Sequence, residues 1–427
     1  MKSRSVIKPL SRNAQFFQAS LIYIIVVSQI LPQLRALPFY TYLWLVPMLS
    51  WLTFIWLMRP SFFIKSTILI KTMLFFIVYS VAIPYLFGNP SIGNRYLSLA
   101  QIPLFYFAFS FNETTKNSKT NYSIIKFSIP LILFTIYKTI NGLIIDPWIS
   151  RAIKSSEKDS IPIWQKGIGG YDFIYFITIV SLILVAILIF HKSIRLSFKY
   201  RISGLIILSS LIATVILSNY FTALIMLVVS AILVFLLKKM NPFLIVLMVI
   251  LSLVSLIWGK QIFLFILDSL TSILPKGKTE LRLNEIAEAL VHGKATDMQA
   301  GRESVMNSSI EGFIKNPLFG MVIQPLNIKG QYLSGFGQHS QFLDTLALFG
   351  IIGFLQVYTF IKPFIQRTKD NVLLRSFSLS ILSAVLILNI FNNSAPLIGF
   401  AYFFIYPTFY SWLKMKMEPK SIFDVKT

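Results

Sequence analysis

The run YDFIYFITIVSLILVAILIF, residues 171–190, decides the class of fold. Its side chains are almost all apolar, and a helix of this length crosses about 30 Å of hydrocarbon. Across the 427 residues, 56% are hydrophobic and 13% are charged, which is outside the composition of soluble globular proteins. Because such runs are continuous and do not alternate with polar residues, the sequence predicts an all-α polytopic membrane protein and argues against a β-barrel.

Outward from this run, similar apolar runs recur in both directions. The twelve predicted membrane spans fall near 14–32, 39–58, 69–87, 97–111, 123–145, 171–190, 202–217, 219–237, 242–260, 341–361, 375–393 and 396–414. They predict three parts. Residues 1–260 hold spans one to nine and an outer loop at 146–170, residues 261–340 form a large extracytoplasmic loop, and residues 341–427 hold spans ten to twelve and a tail.

The distribution of charge orients these spans. The chain has 39 Lys and Arg against 16 Asp and Glu, a net charge of +23. Basic residues concentrate in alternate connections: Arg59, Lys65 and Lys71; Lys116 and Lys119; Lys192, Arg195, Lys199 and Arg201; Lys238 and Lys239; Lys362, Arg367, Lys369 and Arg375. The positive-inside rule then predicts that both termini are cytoplasmic. Scattered charge of this kind favours anionic lipid over nucleic acid as a partner.

Two long connections lie on the predicted outer side. The first, residues 146–170, ends in a glycine-rich run, and the second covers residues 260–338. Loops of this length are usually functional or disordered. In the second, residues 261–274 have the pattern of a helix lying at the interface, and residues 302–315 have that of an amphipathic helix. The sequence therefore predicts a small helical cap on the outer face.

Several kinds of chemistry have little support. Only Lys138 is charged well inside a predicted span, whereas ion-coupled transporters normally carry ionisable groups there. The chain has no cysteine, and His191, His292 and His339 show no recognisable metal-ligand spacing. A triad of Ser340, His339 and Asp344 would lack a nucleophile elbow. We therefore expect a site without a metal or a cofactor.

A few charged residues remain as candidates for a site. His339 lies where the outer loop re-enters the membrane, either as an interfacial histidine or as a general base or proton donor. Arg302 is expected at the start of a helix, where it would suit a bound pyrophosphate or else be solvated. Arg151 is either a second anion ligand or a solvated loop charge. The basic residues of the large loop that favour contacts with lipid headgroups are Lys276, Lys278 and Arg282.

Two motifs frame this loop: GRESVMNSSIEGFIKNPLFG at residues 301–320 and HSQFLDTLALFGIIG at residues 339–353. The pattern resembles the O-antigen polymerase/ligase superfamily, which includes the Wzy-type polysaccharide polymerases. That family has roughly S-G-R, then N-P-hydrophobic-G, then H-N-x-hydrophobic-L-[DE] and G-hydrophobic-hydrophobic-G. The match is close over about 60 residues around these two runs, and the predicted topology extends it to the whole chain.

The resemblance implies a GT-C-like helical bundle in a bacterial plasma membrane. It implies metal-independent transfer of a glycan from a polyprenyl diphosphate to the terminal sugar hydroxyl of another lipid-linked repeat unit at the outer face. Arg302 would hold the diphosphate, and His339 would act as base or orient the acceptor hydroxyl. Further contacts to the diphosphate or sugar would come from Arg151, Lys276, Lys278, Arg282 and Asp344. The lipid tail would lie in an apolar groove between spans, and a flippase and a chain-length regulator are the implied protein partners.

Two positions depart from the family pattern. Residues 217–226 read LSNYFTALIM, with Phe221 where the family usually has an arginine, so a second diphosphate ligand has to come from elsewhere, such as Arg151. Ser340 follows the histidine where asparagine is usual. The missing span arginine favours a polymerase over a ligase of the same superfamily. A flippase for lipid-linked oligosaccharide is the alternative from another class.

Overall fold

A computed structural model describes most of the helical part of the chain. The residues it describes are 10–153, 157–238, 297–324, 339–370 and 374–417, together with 269, 280, 281, 283, 284, 326, 328, 329, 332, 333 and 337. Within these residues, the only paired strands are β1 (Ile328–Lys329) and β2 (Tyr332–Leu333), which run antiparallel. The rest of the regular structure is helical, as the sequence predicts.

Up to residue 238 the described helices follow one another with short connections. Those up to residue 238 are α1 (Arg12–Ile30), α2 (Pro32–Arg35), α3 (Tyr40–Met58), α4 (Ser61–Ile64), α5 (Ile68–Leu86), α6 (Pro90–Leu99), α7 (Gln101–Thr114), α8 (Ser118–Ile145), α9 (Ile149–Ala152), α10 (Glu157–Gln165), α11 (Tyr171–Ile189), α12 (Phe198–Leu217) and α13 (Phe221–Lys238). Those from residue 297 are α14 (Asp297–Lys315), α15 (Gln341–Phe349), α16 (Phe354–Asp370), α17 (Arg375–Phe391), α18 (Pro396–Phe400) and α19 (Tyr406–Met417).

Seven helical segments among the described residues are long and apolar enough to cross a membrane. They are Arg12–Ile30, Tyr40–Met58, Ile68–Leu86, Ser118–Ile145, Tyr171–Ile189, Phe198–Leu217 and Gln341–Lys369. Two shorter apolar helices, Phe221–Val234 and Arg375–Phe391, accompany them. The expected class, an all-helical protein with several apolar membrane-length helices, is therefore confirmed. The predicted span at 242–260 lies outside the described residues, and the total of twelve stays a prediction.

Three predicted spans are segmented. The span at 97–111 breaks between α6 and α7, where Pro103 has no N–H to donate to the carbonyl of Leu99. The span at 341–361 divides into α15 and α16 at a 3₁₀ turn, Gly350–Gly353. The span at 396–414 contains a wider π-helical turn at Ala401–Ile405 between α18 and α19. Apolar composition alone does not reveal these breaks, because each part remains apolar.

Helix α11 forms the centre of the bundle. It packs against α12, α13, α17 and α18. Within its most apolar window 72% of the residues are buried by protein, compared with 17% for α12. The exposed side chains of α12 include Leu205 and Ile206, which is expected of a helix that faces lipid. The 146–170 loop directly precedes α11, so the first residues of α11 lie at the end of the bundle that this loop reaches.

The NPLFG and FGIIG motifs cross each other at their backbones. Gly320 has φ +72° and Gly350 has φ +59°. A Cβ on Gly320 would lie 2.2 Å from the carbonyl of Leu348, and one on Gly350 would lie 2.6 Å from the carbonyl oxygen of Pro317. That oxygen accepts a hydrogen bond of 2.7 Å from the Ile351 amide. Glycine is required at both positions because the two chain segments touch without room for side chains.

We expect Gly320→Ala to lower the free energy of unfolding by more than about 1 kcal/mol, because the alanine combines a strained φ with a backbone clash. Gly204→Ala in α12 is the matched control. Its Cβ would meet nothing closer than 3.4 Å, so this substitution should be neutral or stabilising. Thermal unfolding of the two variants in detergent measures the difference. Equal melting temperatures for Gly320→Ala and the wild type would contradict the proposed crossing.

Candidate functional site

A buried hydrogen bond fixes α14, from the large predicted loop, to α15. Ser309 Oγ donates to Asp344 Oδ1 over 2.7 Å and accepts from the Gly337 amide over 2.8 Å. Both Ser309 and Asp344 are buried. A short bond from a hydroxyl to a carboxylate is among the stronger hydrogen bonds in proteins. Asp344, which the sequence suggested as a substrate contact, therefore holds the two motifs together from within.

His339 is exposed immediately before α15, and the backbone after it is held firmly. Ser340 Oγ accepts from the Leu343 amide over 3.2 Å, as an N-cap, and donates to the Asn389 carbonyl over 3.2 Å. The Gln341 amide donates to the Asn392 carbonyl over 3.0 Å. Ser340, which stands where the family pattern has asparagine, therefore makes local hydrogen bonds. The imidazole of His339 thus extends from a rigid junction between α15 and the end of α17.

Gln341 is a buried polar centre that sequence reasoning did not identify. Its side-chain nitrogen donates to Gln356 Oε1 over 3.2 Å, and its side-chain oxygen accepts from the Ser394 amide over 3.2 Å. Thr345, one turn further along α15, also donates to Gln356 and lies 2.9 Å from Tyr96 Oη. The signal was present as two polar residues four apart in an apolar run, Gln341 and Thr345. Their partners, however, are distant in sequence.

Arg151 lies against an aromatic ring at the start of α13. Its guanidinium carbon is 4.8 Å from the centroid of the Tyr220 ring, a cation–π distance. Tyr220 Oη donates to the Ser150 carbonyl over 3.0 Å. Burial raises the pKa of Tyr220, so the phenol is protonated and able to donate. Arg151 thus comes from another loop to lie beside Phe221, the position at which the family pattern has an arginine.

A group of tyrosines connects Arg151 with the segment after His339. The rings of Tyr175 and Tyr220 are 5.9 Å apart. Asn392 Nδ2 donates to Tyr175 Oη over 3.2 Å, and the Asn392 carbonyl accepts from the Gln341 amide. A continuous path of contacts therefore runs from Arg151 to the start of α15. It assigns Arg151 and His339 to the same end of the bundle.

Arg302 lies on α14, but not at its first turn. The helix begins at Asp297, five residues earlier, so the prediction that Arg302 starts the helix is wrong. The helix continues on the N-terminal side of Gly301 because Asp297 and the residues after it favour helix formation. An acidic side chain at a helix N-terminus interacts favourably with the helix dipole. The first amides of this helix are consequently those near Asp297 and not those near Arg302. Lys276, Lys278 and Arg282 lie outside the described residues.

No family model matches the chain, and no curated protein matches it. What the structure shows is a helical protein with seven candidate membrane-spanning helices among the described residues. In it α14 meets α15, and a path of contacts links Arg151, through Tyr220 and Tyr175, to the segment after His339. The membership of the O-antigen polymerase/ligase superfamily expected from the motifs stays a prediction.

Substitutions of Tyr220 separate its two contacts. We expect Tyr220→Phe to lower the free energy of unfolding by about 1 kcal/mol, because it loses only the hydrogen bond to Ser150. Tyr220→Ala also leaves a cavity where the ring was, and should cost roughly 3–5 kcal/mol. Thermal unfolding of both variants in detergent checks this order. If the two variants were equally stable, the Tyr220 ring would contribute nothing to holding Arg151 in place.

Proposed function

We propose that this protein is a polysaccharide polymerase of the O-antigen polymerase/ligase type. It transfers a glycan from a polyprenyl diphosphate to a sugar hydroxyl on another lipid-linked repeat unit. The observation that carries the proposal is the path of contacts from Arg151 through Tyr220, Tyr175 and Asn392 to the segment after His339. We assign this end to the outer face of a bacterial plasma membrane from the distribution of basic residues.

The position of Arg302 on α14 supports the same site. Seven residues separate it from Ser309, so the two positions lie on one face of the helix, two turns apart. Ser309 is on the face that bonds to Asp344 of α15. In this proposal Asp344 does not touch the substrate. It holds α14 in the orientation that puts position 302 on the same side of the helix as the α15 junction, which follows His339.

In the proposed reaction the acceptor hydroxyl oxygen attacks the anomeric carbon of the donor glycan. A glycosidic bond forms, the bond from that carbon to the diphosphate oxygen breaks, and His339 takes the hydroxyl proton. The departing polyprenyl diphosphate keeps the bonding electron pair. Its growing negative charge faces the guanidinium groups of Arg302 and Arg151, and fixed cations of this kind stabilise a leaving group without a metal.

An apolar cavity is available for part of the lipid. It is a small, partly open pocket between α5, α6, α7 and α16, and Phe76, Tyr96 and Phe360 are among its lining residues. Tyr96 and Gln356, which also lines it, belong to the hydrogen-bonded group around Gln341. The cavity therefore adjoins the helix that begins directly after His339. This arrangement supports a lipid chain below a polar reaction site.

The test uses purified protein and its lipid-linked repeat unit in the presence of EDTA. We expect Arg302→Ala, His339→Ala and Arg151→Ala each to lower the rate of polymer formation by about 100-fold or more, because each removes a proton acceptor or a fixed charge at the leaving group. Lys166→Ala is the matched control, since Lys166 is an exposed cation on the same outer loop as Arg151. Its rate should equal that of the wild type.

Polymer formation that is undiminished in all three variants would contradict the proposal, as would a strict requirement for a divalent metal. Transfer of finished glycan only to a different acceptor would identify a ligase instead. Movement of the lipid-linked unit across a vesicle membrane, without polymer and unaffected by His339→Ala, would identify a flippase.

A further inference from the structure

An ion pair joins two elements at the same end of the bundle. Arg35 is the last residue of α2, and its guanidinium donates to the carboxylate of Asp172, the second residue of α11. It also donates to the Gln29 carbonyl over 3.1 Å. The side chains of Arg35 and Asp172 are only 17% and 12% exposed. By contrast, the side chains of Lys315 and Glu311, which form another ion pair, are exposed. A pair this well shielded from water is sensitive to the loss of either partner.

The charge of Arg35 is stabilised where it lies. Burial by itself lowers the pKa of Arg35, but the charge of Asp172, together with Tyr40 and the hydrogen bonds to both side chains, more than offsets that effect, and the pKa ends above its ordinary value. The other oxygen of Asp172 accepts from the Phe173 amide over 2.9 Å at the start of α11. The pair therefore links α2 to the first turn of the central helix.

The glycine-rich run before Asp172 lies directly against these elements. Gly167 has φ +78°, and a Cβ there would lie 2.2 Å from the side-chain nitrogen, Nε2, of Gln33 in α2. The Gly169 amide donates to Thr139 Oγ1 of α8 over 2.8 Å. Its carbonyl accepts from Ser150 Oγ of α9 over 2.9 Å. The run is thus a thin layer of backbone that contacts α2, α8 and α9 at once.

Ser150 connects the glycine-rich run to Arg151. It is fully buried and is held at two points, by its hydroxyl on Gly169 and by its carbonyl on Tyr220 Oη. Arg151 is the next residue of α9. A displacement of the glycine run away from α2 would therefore move Ser150, and with it the guanidinium that lies over the Tyr220 ring.

We propose that Arg35 and Asp172 are positioning residues, whose ion pair holds the 146–170 loop so that Arg151 stays seated over Tyr220. The role of Arg151 in polymer formation rests on the proposed function, whereas the position of its guanidinium over the Tyr220 ring does not. Removing one charge leaves the other shielded and uncompensated, which displaces the elements that carry it. Removing both charges together leaves a neutral contact of nearly the same shape.

The absence of cysteine from the sequence makes a direct test possible. Ser150→Cys puts a single, nearly isosteric thiol in the buried link. Ser128→Cys puts one in an equally buried position on α8, away from the loop. Each reporter is combined with Arg35→Gln, with Asp172→Asn and with both changes. The rate of maleimide labelling in detergent then measures how often each thiol is exposed.

We expect either single neutralisation to raise the labelling rate of the Ser150→Cys reporter about tenfold, and the double variant to return within about threefold of the starting rate, because coupled residues are not additive. The Ser128→Cys reporter should label at the same slow rate throughout. An unchanged rate for the thiol at position 150 in the single variants would overturn the proposal. So would additive effects in the double variant, or equal exposure of the thiol at position 128, which would mean general loosening.

A kinetic arm tests the connection to Arg151. Arg35→Gln should lower kcat about tenfold with a smaller change in the KM for the lipid-linked unit, because a displaced Arg151 no longer faces the leaving group, and should have no further effect in an Arg151→Ala background. A similar loss in both backgrounds would overturn the assignment of Arg35 to the seat of Arg151. If labelling follows the expectation while the wild type forms no polymer, the proposed function fails and the positioning stands.

Discussion

The hydrogen bonds that fix Ser340 and Gln341 to the corner after α17 are the constraint on which this structure depends. The Asn389 and Asn392 carbonyls accept from the two residues, and the Ser394 amide donates back to Gln341. Ser340 and Gln341 are buried, so their polar groups need protein partners. Meeting that need fixes where α15 begins. It also fixes the cap helix above it and the tyrosines beside it.

The sequence was most informative where physical chemistry acts on single segments. Continuous apolar runs identify membrane helices because lipid acts on each helix separately, and the class of fold follows from them. The breaks at Ala100 and Gly350 were not foreseen, since both lie inside apolar runs and depend on local backbone geometry. The start of α14 was misplaced because the amphipathic pattern at residues 302–315 gives no signal for the turn that begins at Asp297.

The same distinction applies to the site. His339, Arg302 and Arg151 could be selected from the sequence because charged groups are rare in this chain. Tyr220 and Gln341 could not, because their importance lies in partners far away in sequence. Phe221 suggested a missing cation, and sequence reasoning named Arg151 as its replacement. The contact of Arg151 with the neighbouring Tyr220 ring gives that suggestion a geometric basis, while its chemical role stays a prediction.

The central position of α11 has a consequence for biogenesis. It is the most apolar of the seven candidate spans and the most enclosed, yet α13, α17 and α18, which enclose it, are synthesised after it. Lipid must therefore cover its faces while the ribosome completes the chain. The hydroxyls of Thr178 and Ser181 donate to carbonyls of their own helix, and Asp172 meets Arg35, which has already been made. Each of these polar groups therefore has a hydrogen-bond or ion-pair partner before the later helices are synthesised.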